Sequence, residues 1–379
     1  MNSKLNNLSM IAINATILDT TPTGLGVVAC KIASAVAHLK KDTAVFCHCP
    51  ESFPAASVHA VPRWVCARRG LFLGGLPRFF WTQIFLPWKL RKLKAGVLLS
   101  PNHEALFLSP CPQVVVIHDL LPLLFSDSYP KLRYYYRHVL PRLLRRADAI
   151  VSVSHNTRQD IIRHYQLPPA KITVIYSGVD QTRFHPQVSA SKADEPYILF
   201  VGNQYPYKNI VRLIETFAGL VQDGFTHRLL LAGENHPRHF PELRRLVMES
   251  GLDDRVRFLG YVPEKELPRL YSEAELFVLP SLYEGFGLPV LEAMACGCPV
   301  ALAQSSSLPE VGGEAGCYFN PTDVPDIRSK LAELLRNPDR RRRMVEAGYE
   351  QARKFRWEKT AGSYIDLLTR VRNGSAPVS

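Results

Sequence analysis

Several common features are missing from this 379-residue chain, and each absence narrows what it can be. No uninterrupted run of about eighteen apolar residues occurs, so no segment is expected to cross a bilayer as a helix. The opening M-N-S-K-L-N-N-L-S has neither an extended apolar core nor a small-residue cleavage site. No secretory signal is therefore evident, and the cytosol is the expected compartment. The cysteines form two C-x-C pairs, Cys47-His48-Cys49 and Cys296-Gly297-Cys298, but no C-x2-C pair of the kind that builds zinc ribbons. Because these pairs follow apolar segments, buried free thiols are expected rather than a metal centre. No nucleic-acid-binding motif accompanies the net charge of +12.

What is present describes a globular α/β protein. The length suffices for two domains, each with its own core, and 46% hydrophobic against 21% charged residues fits folded chains. The charge is uneven. Residues 1–196 hold 23 Lys+Arg and 11 Asp+Glu, whereas the remainder holds 23 of each. All of the positive excess lies in the first half, which calls for an anionic partner or surface on that side. Within it, Arg63 to Lys94 crowds Trp64, Trp81 and Trp88 among phenylalanines, Lys and Arg. Such chemistry suits a segment lying on anionic lipid, or a core helix with a solvated basic end. Pro77 and Pro87 are expected to exclude one long straight helix there. A second basic tract, Lys131 to Arg146, reads as helical and facing solvent or lipid head groups.

The chain is organised around Ser281 to Val300, S-L-Y-E-G-F-G-L-P-V-L-E-A-M-A-C-G-C-P-V. It follows an apolar run, Leu276 to Leu279, that reads as a buried parallel strand. Pro280 and the Gly285–Gly287 loop end that strand, and Pro289 suits the first turn of a helix. Gly297 closes the helix. Glu284 is thus expected on a loop at the carboxyl end of a strand, and Glu292 one turn into the following helix. Amides at such a helix start can receive phosphate or sugar oxygens.

Two glutamates spaced around G-F-G-L-P resemble the E-x7-E signature of the retaining glycosyltransferase family 4, of mannosyltransferase-like type. The resemblance implies a GT-B fold: two Rossmann-like βαβ domains facing a deep cleft. It extends from about Asn14 to Trp357, most closely over 197–320. The expected boundaries are an acceptor-binding domain over 1–186, a polar linker over 187–196, a nucleotide-sugar domain over 197–355, and a terminal helical segment, 356–379, returning to the first domain.

The order of elements agrees with that frame. Met10 to Ile17 reads as a first strand, and Thr23-Gly24-Leu25-Gly26 opens a helix. By resemblance, Gly24 and Gly26 let backbone approach the donor diphosphate or the acceptor. Val114 to His118 reads as a strand ending in Ile117-His118-Asp119-Leu120. The family places this histidine against the donor sugar, so His118 is expected to hydrogen-bond a hydroxyl or help hold developing charge, with Asp119 orienting the loop. Ser154 reads as the cap of a helix over His155 to Tyr165. After the linker a fresh βα alternation begins at Tyr197 to Val201.

A sugar leaving a nucleoside diphosphate builds negative charge that needs a metal or fixed cations. The chain contains no D-x-D, the simplest metal-holding carboxylate pair of the other transferase architecture. Lys208, on the loop after Val201, is the expected cation for the diphosphate, so neither metal nor cofactor is expected. Relatives often carry Arg beside this lysine, where this chain has Tyr207. The resemblance further implies that Glu292 accepts from the ribose hydroxyls and that Glu284 lies against the transferred sugar. It assigns the amides of Phe286, Gly287 and Leu288 to sugar or phosphate oxygens, and main chain at Val262 to the base.

The expected activity is transfer of a hexose, mannose from GDP-mannose foremost, to a glycan or polyprenyl-linked acceptor in surface polysaccharide or lipopolysaccharide synthesis. The alternatives are a UDP-sugar donor, an epimerase or phosphorylase of the same fold, and a non-catalytic membrane-surface scaffold. A phosphorylase would need a pyridoxal-binding lysine context that the chain does not show. The expected partners are the nucleotide sugar, the acceptor and an anionic membrane surface, with no nucleic acid.

Overall fold

The computed structural model describes residues 10–18, 24–49, 53, 56–66, 75–187 and 195–374. The chain folds as two compact units: Met1–Ser177 with Trp357–Ser379, and Gly178–Arg356.

In the first unit the elements run β1 (Ile11–Asn14), α1 (Gly24–Leu39), β2 (Thr43–Cys47), β3 (Ser57–Ala60), α2 (Arg63–Cys66), α3 (Leu76–Leu93), β4 (Val97–Ser100), β5 (Gln113–Ile117), α4 (Leu121–Leu124) and α5 (Pro130–Tyr134). A π-helical turn at Tyr135–Val139 leads into α6 (Leu140–Arg146), then β6 (Ala149–Ser152), α7 (His155–Tyr165) and β7 (Ile172–Val174). The seven strands form one parallel sheet in the order β3-β2-β1-β4-β5-β6-β7. Strands β1, β2, β4, β5 and β6 are buried at every residue. Helices cover both faces of such a sheet, which is why these strands read as continuous apolar runs.

The second unit repeats the plan: β8 (Tyr197–Val201), α8 (Ile210–Gln222), β9 (Arg228–Ala232), α9 (Phe240–Glu249), β10 (Val256–Gly260), α10 (Leu267–Glu273), β11 (Leu276–Leu279), α11 (Leu288–Ala295), β12 (Val300–Ala303), α12 (Leu308–Gly312), β13 (Gly316–Phe319), α13 (Val324–Arg336) and α14 (Pro338–Arg353). Its six strands are also parallel, in the order β10-β9-β8-β11-β12-β13. The last helix, α15 (Trp357–Arg372), belongs to the first unit, where it packs on α1 and Thr360 donates to the Tyr176 carbonyl at 2.8 Å.

Both sheets are doubly wound, and in each the strand order reverses once, between β1 and β4 and between β8 and β11. Ligands of such sheets bind outside the carboxyl ends of the strands at that reversal. The fold therefore singles out two loop pairs before any side chain is considered: the loops after β1 and β4, and the loops after β8 and β11.

Several expectations change. The unit boundary falls at Gly178, earlier than expected. Val179 donates to the Phe355 carbonyl at 3.0 Å and Gln181 to Ala352 at 3.1 Å, which ties this segment to the second unit. Of the expected linker, residues 188–194 lie outside the described residues, as do Thr23, Arg68 and Arg69. Between Arg63 and Lys94 the described helical residues fall in two pieces, α2 and α3, and α3 continues through Pro87. Pro77 sits in the first turn, where no amide is needed. Pro87 removes one bond, and the burial of Trp81, Leu86 and Leu90 in the core sustains the helix across it. Trp81 is thus a core residue beside Phe46, while Trp64 and Trp88 are exposed.

Candidate active site

The loop after β8 is fixed by glycine packing. Gly202 donates to Ala232 at 2.9 Å and Gly233 to Gly260 at 2.8 Å, lacing together the ends of three neighbouring strands. Gly233 has φ +146°, and a Cβ there would lie 1.8 Å from the Gly202 carbonyl oxygen, so no other residue fits. Beyond this lacing the chain makes a 3-10 turn, Pro206–Lys208, ended by Asn209 in the left-handed region at φ 60°. The buried Asn209 amide donates to the carbonyls of Pro280 (3.0 Å) and Pro321 (2.7 Å). Arg212 donates to its oxygen at 2.9 Å and is thereby held on Asn209. The loop after β8 is in this way tied to the loop after β11.

That tie brings Lys208 onto Glu284. Their Nζ and Oε1 atoms are 2.6 Å apart, and Ser281 donates to the same oxygen at 2.6 Å. The side chains are only 9% and 11% exposed, so this is a buried pair rather than a surface one. Hydroxyls brace the glutamate's backbone. Its amide donates to Ser306 Oγ at 2.8 Å, while Ser307 donates to the carbonyls of Glu284 (2.9 Å) and Phe286 (2.8 Å). Ser305 donates to the Ser281 carbonyl at 2.8 Å.

Immediately after this loop, Gly287 enters α11 at φ +102°, a conformation that favours glycine, with Pro289 in the first turn. Phe286 is buried edge-on to Phe355. Glu292 stands one turn into α11, and its Oε2 accepts from Tyr271 Oη at 3.0 Å. Burial, and then the charge of Glu292, push the Tyr271 phenol well above its ordinary value, so it remains a hydrogen-bond donor at any working pH. Lys208, Glu284, Phe286, Gly287, Leu288 and Glu292 thus share one strand-reversal point. Val262 stands two residues beyond β10, the edge strand. A hollow of about 790 Å³ lined by Asp223, Arg328 and Arg336 lies along α13 and touches none of these residues.

The other expected residues belong to the first unit. His118 follows β5, and its Nε2 lies 2.8 Å from the Pro101 carbonyl oxygen. A carbonyl only accepts, so Nε2 carries the hydrogen and Nδ1 is left as an acceptor. Burial lowers the pKa to about 4, so the ring is neutral near pH 7. A neutral imidazole suits the hydrogen-bonding role expected of it rather than the charge-holding one. Asp119 accepts from the Leu121 amide at 3.0 Å and so shapes the turn into α4. Gly24 is the first residue of α1, and Gly26 is buried in its first turn. The residues just before them, 19–23, lie outside the described residues.

The structure adds residues that sequence reasoning did not single out. At the reversal point of the first unit, Glu104 forms an ion pair with Arg78 of α3 and accepts from Thr16 at 3.2 Å. The neighbouring His103 lies 3.2 Å from Tyr136 Oη, and its carbonyl accepts from Tyr135 at 3.1 Å. Two consecutive tyrosines of the π-helical turn reach the same residue, and such turns are frequent at functional sites. Burial lowers the His103 pKa to about 4 as well. The available signal was P-N-H-E directly after the strand-like L-L-S. For Tyr271, Asn209 and the Ser305–Ser307 run, no local pattern marked the role. Among the described residues no group of three or more His, Cys, Asp or Glu is arranged to hold a metal ion.

Comparison with known proteins follows the same division. The pattern of Glycosyltransferase Family 4 matches residues 22–183, and that of Glycosyl transferases group 1 matches residues 181–351. The O-antigen chain mannosyltransferase B of Escherichia coli is 33% identical over 295 residues, covering 74% of this chain and 75% of the relative. The Serotype-specific mannosyltransferase WbdA of Escherichia coli is 35% identical over 283 residues, 71% of this chain. The match spans only 35% of that longer relative. Among solved structures, sucrose-phosphate synthase from Thermosynechococcus elongatus superimposes with a TM-score of 0.78 over 96% of this chain and 99% of the other, at 21% identity.

Proposed function

This chain belongs to the family 4, group 1 glycosyltransferases, and we propose that it moves mannose from GDP-mannose to a glycan acceptor. The acceptor is a growing surface polysaccharide or lipopolysaccharide chain, free or carried on a polyprenyl lipid. The protein works at the inner face of a membrane, with its basic first unit toward anionic lipid. The O-antigen mannosyltransferase relatives support the sugar and the acceptor class. One observation carries the chemistry: the buried Lys208–Glu284 pair at the β8/β11 reversal, beside the amino terminus of α11.

The geometry suggests how the parts act. The bond from the anomeric carbon to the β-phosphate oxygen breaks, and the acceptor hydroxyl attacks from the same face. Its proton passes to the departing phosphate oxygen. No protein nucleophile is needed, and configuration is retained. The diphosphate gains negative charge as it leaves, so a cation fixed beforehand lowers the barrier without reorganisation. Lys208 is that cation. An ammonium has three N–H donors, so it can hold Glu284 and a diphosphate oxygen together. The first-turn amides of α11 add the positive end of a helix.

Glu284, made rigid by Ser281, Ser306 and Ser307, accepts from hydroxyls of the transferred mannose. Glu292, oriented by Tyr271, accepts from the ribose. Main chain at Val262 meets the base. His118 receives a sugar hydroxyl at Nδ1, while Gly24 and Gly26 allow close backbone approach.

The test is turnover with a panel of GDP- and UDP-sugars and a mannan-type oligosaccharide, reading nucleoside diphosphate release and the anomeric configuration of the product by NMR. The reading expects release with GDP-mannose and an α-linked product. A β-linked product would overturn retention, and turnover with UDP-sugars alone would overturn the donor.

A further inference from the structure

Helix α3 has two unlike sides. Trp81, Leu86 and Leu90 are buried in the core of the first unit. On the other side Leu76, Phe80, Ile84 and Trp88 succeed one another at four-residue spacing, and all are exposed, Ile84 by 60% and Trp88 by 58%. At 1.5 Å per residue this stripe is about 18 Å long. Phe85 widens it, 48% exposed.

The stripe does not end at the helix. Gln83 donates to the Ala105 carbonyl at 2.8 Å and accepts from the Phe107 amide at 2.9 Å, which pins the following loop alongside α3. Phe79 meets Phe107 edge-on, and Leu108, next in the chain, is 75% exposed. Singly exposed apolar residues need no explanation, but a continuous set of large ones marks a binding surface.

The charge beside it identifies the occupant. Lys89, Arg91, Lys92 and Lys94 lie in and just beyond the last turns of α3, and no acidic residue occurs from Leu76 to Lys94. Lys92 Nζ sits 5.6 Å from the Trp88 ring centroid, placing a cation at the border of the stripe. A second copy of this chain would bring these cations against their own kind. A bilayer with anionic lipids satisfies both parts, since its hydrocarbon receives the stripe and its phosphates the cations.

We propose that the exposed face of α3, with Leu108, seats the first unit on an anionic lipid surface. The same helix carries Arg78 to Glu104 at the reversal point of that unit. Seating α3 therefore brings that point to the lipid, where a polyprenyl-linked acceptor would be held. This last link rests on the glycosyltransfer reading above, while the docking itself does not.

Cosedimentation with vesicles of phosphatidylcholine containing about one third phosphatidylglycerol tests the proposal, with phosphatidylcholine alone as the comparison. Two variants are used: Phe80→Ser/Ile84→Ser/Trp88→Ser and Lys89→Gln/Arg91→Gln/Lys92→Gln. Each cation near an anionic surface contributes about fivefold to binding, so the second variant is expected to lose on the order of a hundredfold. The first is expected to lose binding at all salt concentrations, with an unchanged melting curve and unchanged nucleotide binding. The proposal is overturned if the wild type does not pellet with anionic vesicles, or if either variant pellets as well as the wild type. A wild-type dimer that the first variant converts to monomer, with no vesicle binding, would assign the face to a second copy instead. Nucleotide binding, measured in the same samples, separates failure of docking from failure of the transferase reading.

Discussion

Breaking the Lys208–Glu284 pair from one side should cost far more than removing both charges. The atoms are 2.6 Å apart and both side chains are about nine-tenths buried. At an effective dielectric of about 20, the gross attraction at that separation is about 6 kcal/mol, most of it offset by desolvation of the two ions. Lys208→Met leaves the glutamate with the Ser281 hydroxyl but no countercharge. Uncompensated buried charges of this kind cost about 3–5 kcal/mol. In Lys208→Met/Glu284→Gln the amide oxygen still accepts from Ser281 and no ion is buried, so the loss should fall to about 1–2 kcal/mol. The double variant should then be about 2–3 kcal/mol more stable than Lys208→Met alone, read by urea unfolding followed with a probe in the second unit. Single and double losses that add within about 0.5 kcal/mol would refute this description of the pair.

Three further outcomes follow from the same structure. His103 and His118, each with a pKa lowered to about 4 by burial, remain neutral when folded but protonate when unfolded. Stability should therefore be full above about pH 6.5 and fall toward pH 4, by at most about 1.4 kcal/mol per pH unit for each ring. His103→Asn/His118→Gln should flatten that part of the profile, and an unchanged slope would count against it. Gly233→Ala places a Cβ 1.8 Å from the Gly202 oxygen, so the loop after β8 must move. A loss of more than about 3 kcal/mol is expected, along with loss of nucleotide binding, and a melting temperature like the wild type's would contradict the packing. Tyr271→Phe removes the donor to Glu292 and should cost about 1–2 kcal/mol while weakening all nucleotides alike. A change in base preference would contradict a role confined to orienting Glu292.

Much of this architecture was legible because parallel strands covered on both faces become unbroken apolar runs. Tyr197–Val201 and Leu276–Leu279 fall where the sequence places strands, and Ser154 caps α7 by accepting from the Thr157 amide at 3.0 Å. The half-exposed edge strand β3, S-V-H-A, carries no such signal and was not read. Helix α3 continues through Pro87 because burial of Trp81 and Leu90 sustains it, which a local rule about a missing amide cannot register. The chemistry divides in the same way. Glu284 and Glu292 stand in one contiguous motif and could be named from it. Ser306 and Ser307, which brace the backbone of Glu284, come from a loop more than twenty residues later, and Glu104 reaches Arg78 across a strand and a turn. Only the folded arrangement brings such pairs together, and they are the residues that hold the named ones still.

The central claim is that the β8/β11 reversal point receives a guanosine diphosphate sugar. Thermal stability measured against GDP-, UDP-, ADP- and dTDP-sugars tests it most directly. A ligand at one hundred times its dissociation constant adds about 2.7 kcal/mol to the folded state. The account predicts a shift with GDP-mannose that disappears in Glu292→Ala and in Lys208→Met. No shift with any nucleotide sugar, or a shift that survives both substitutions, would contradict it.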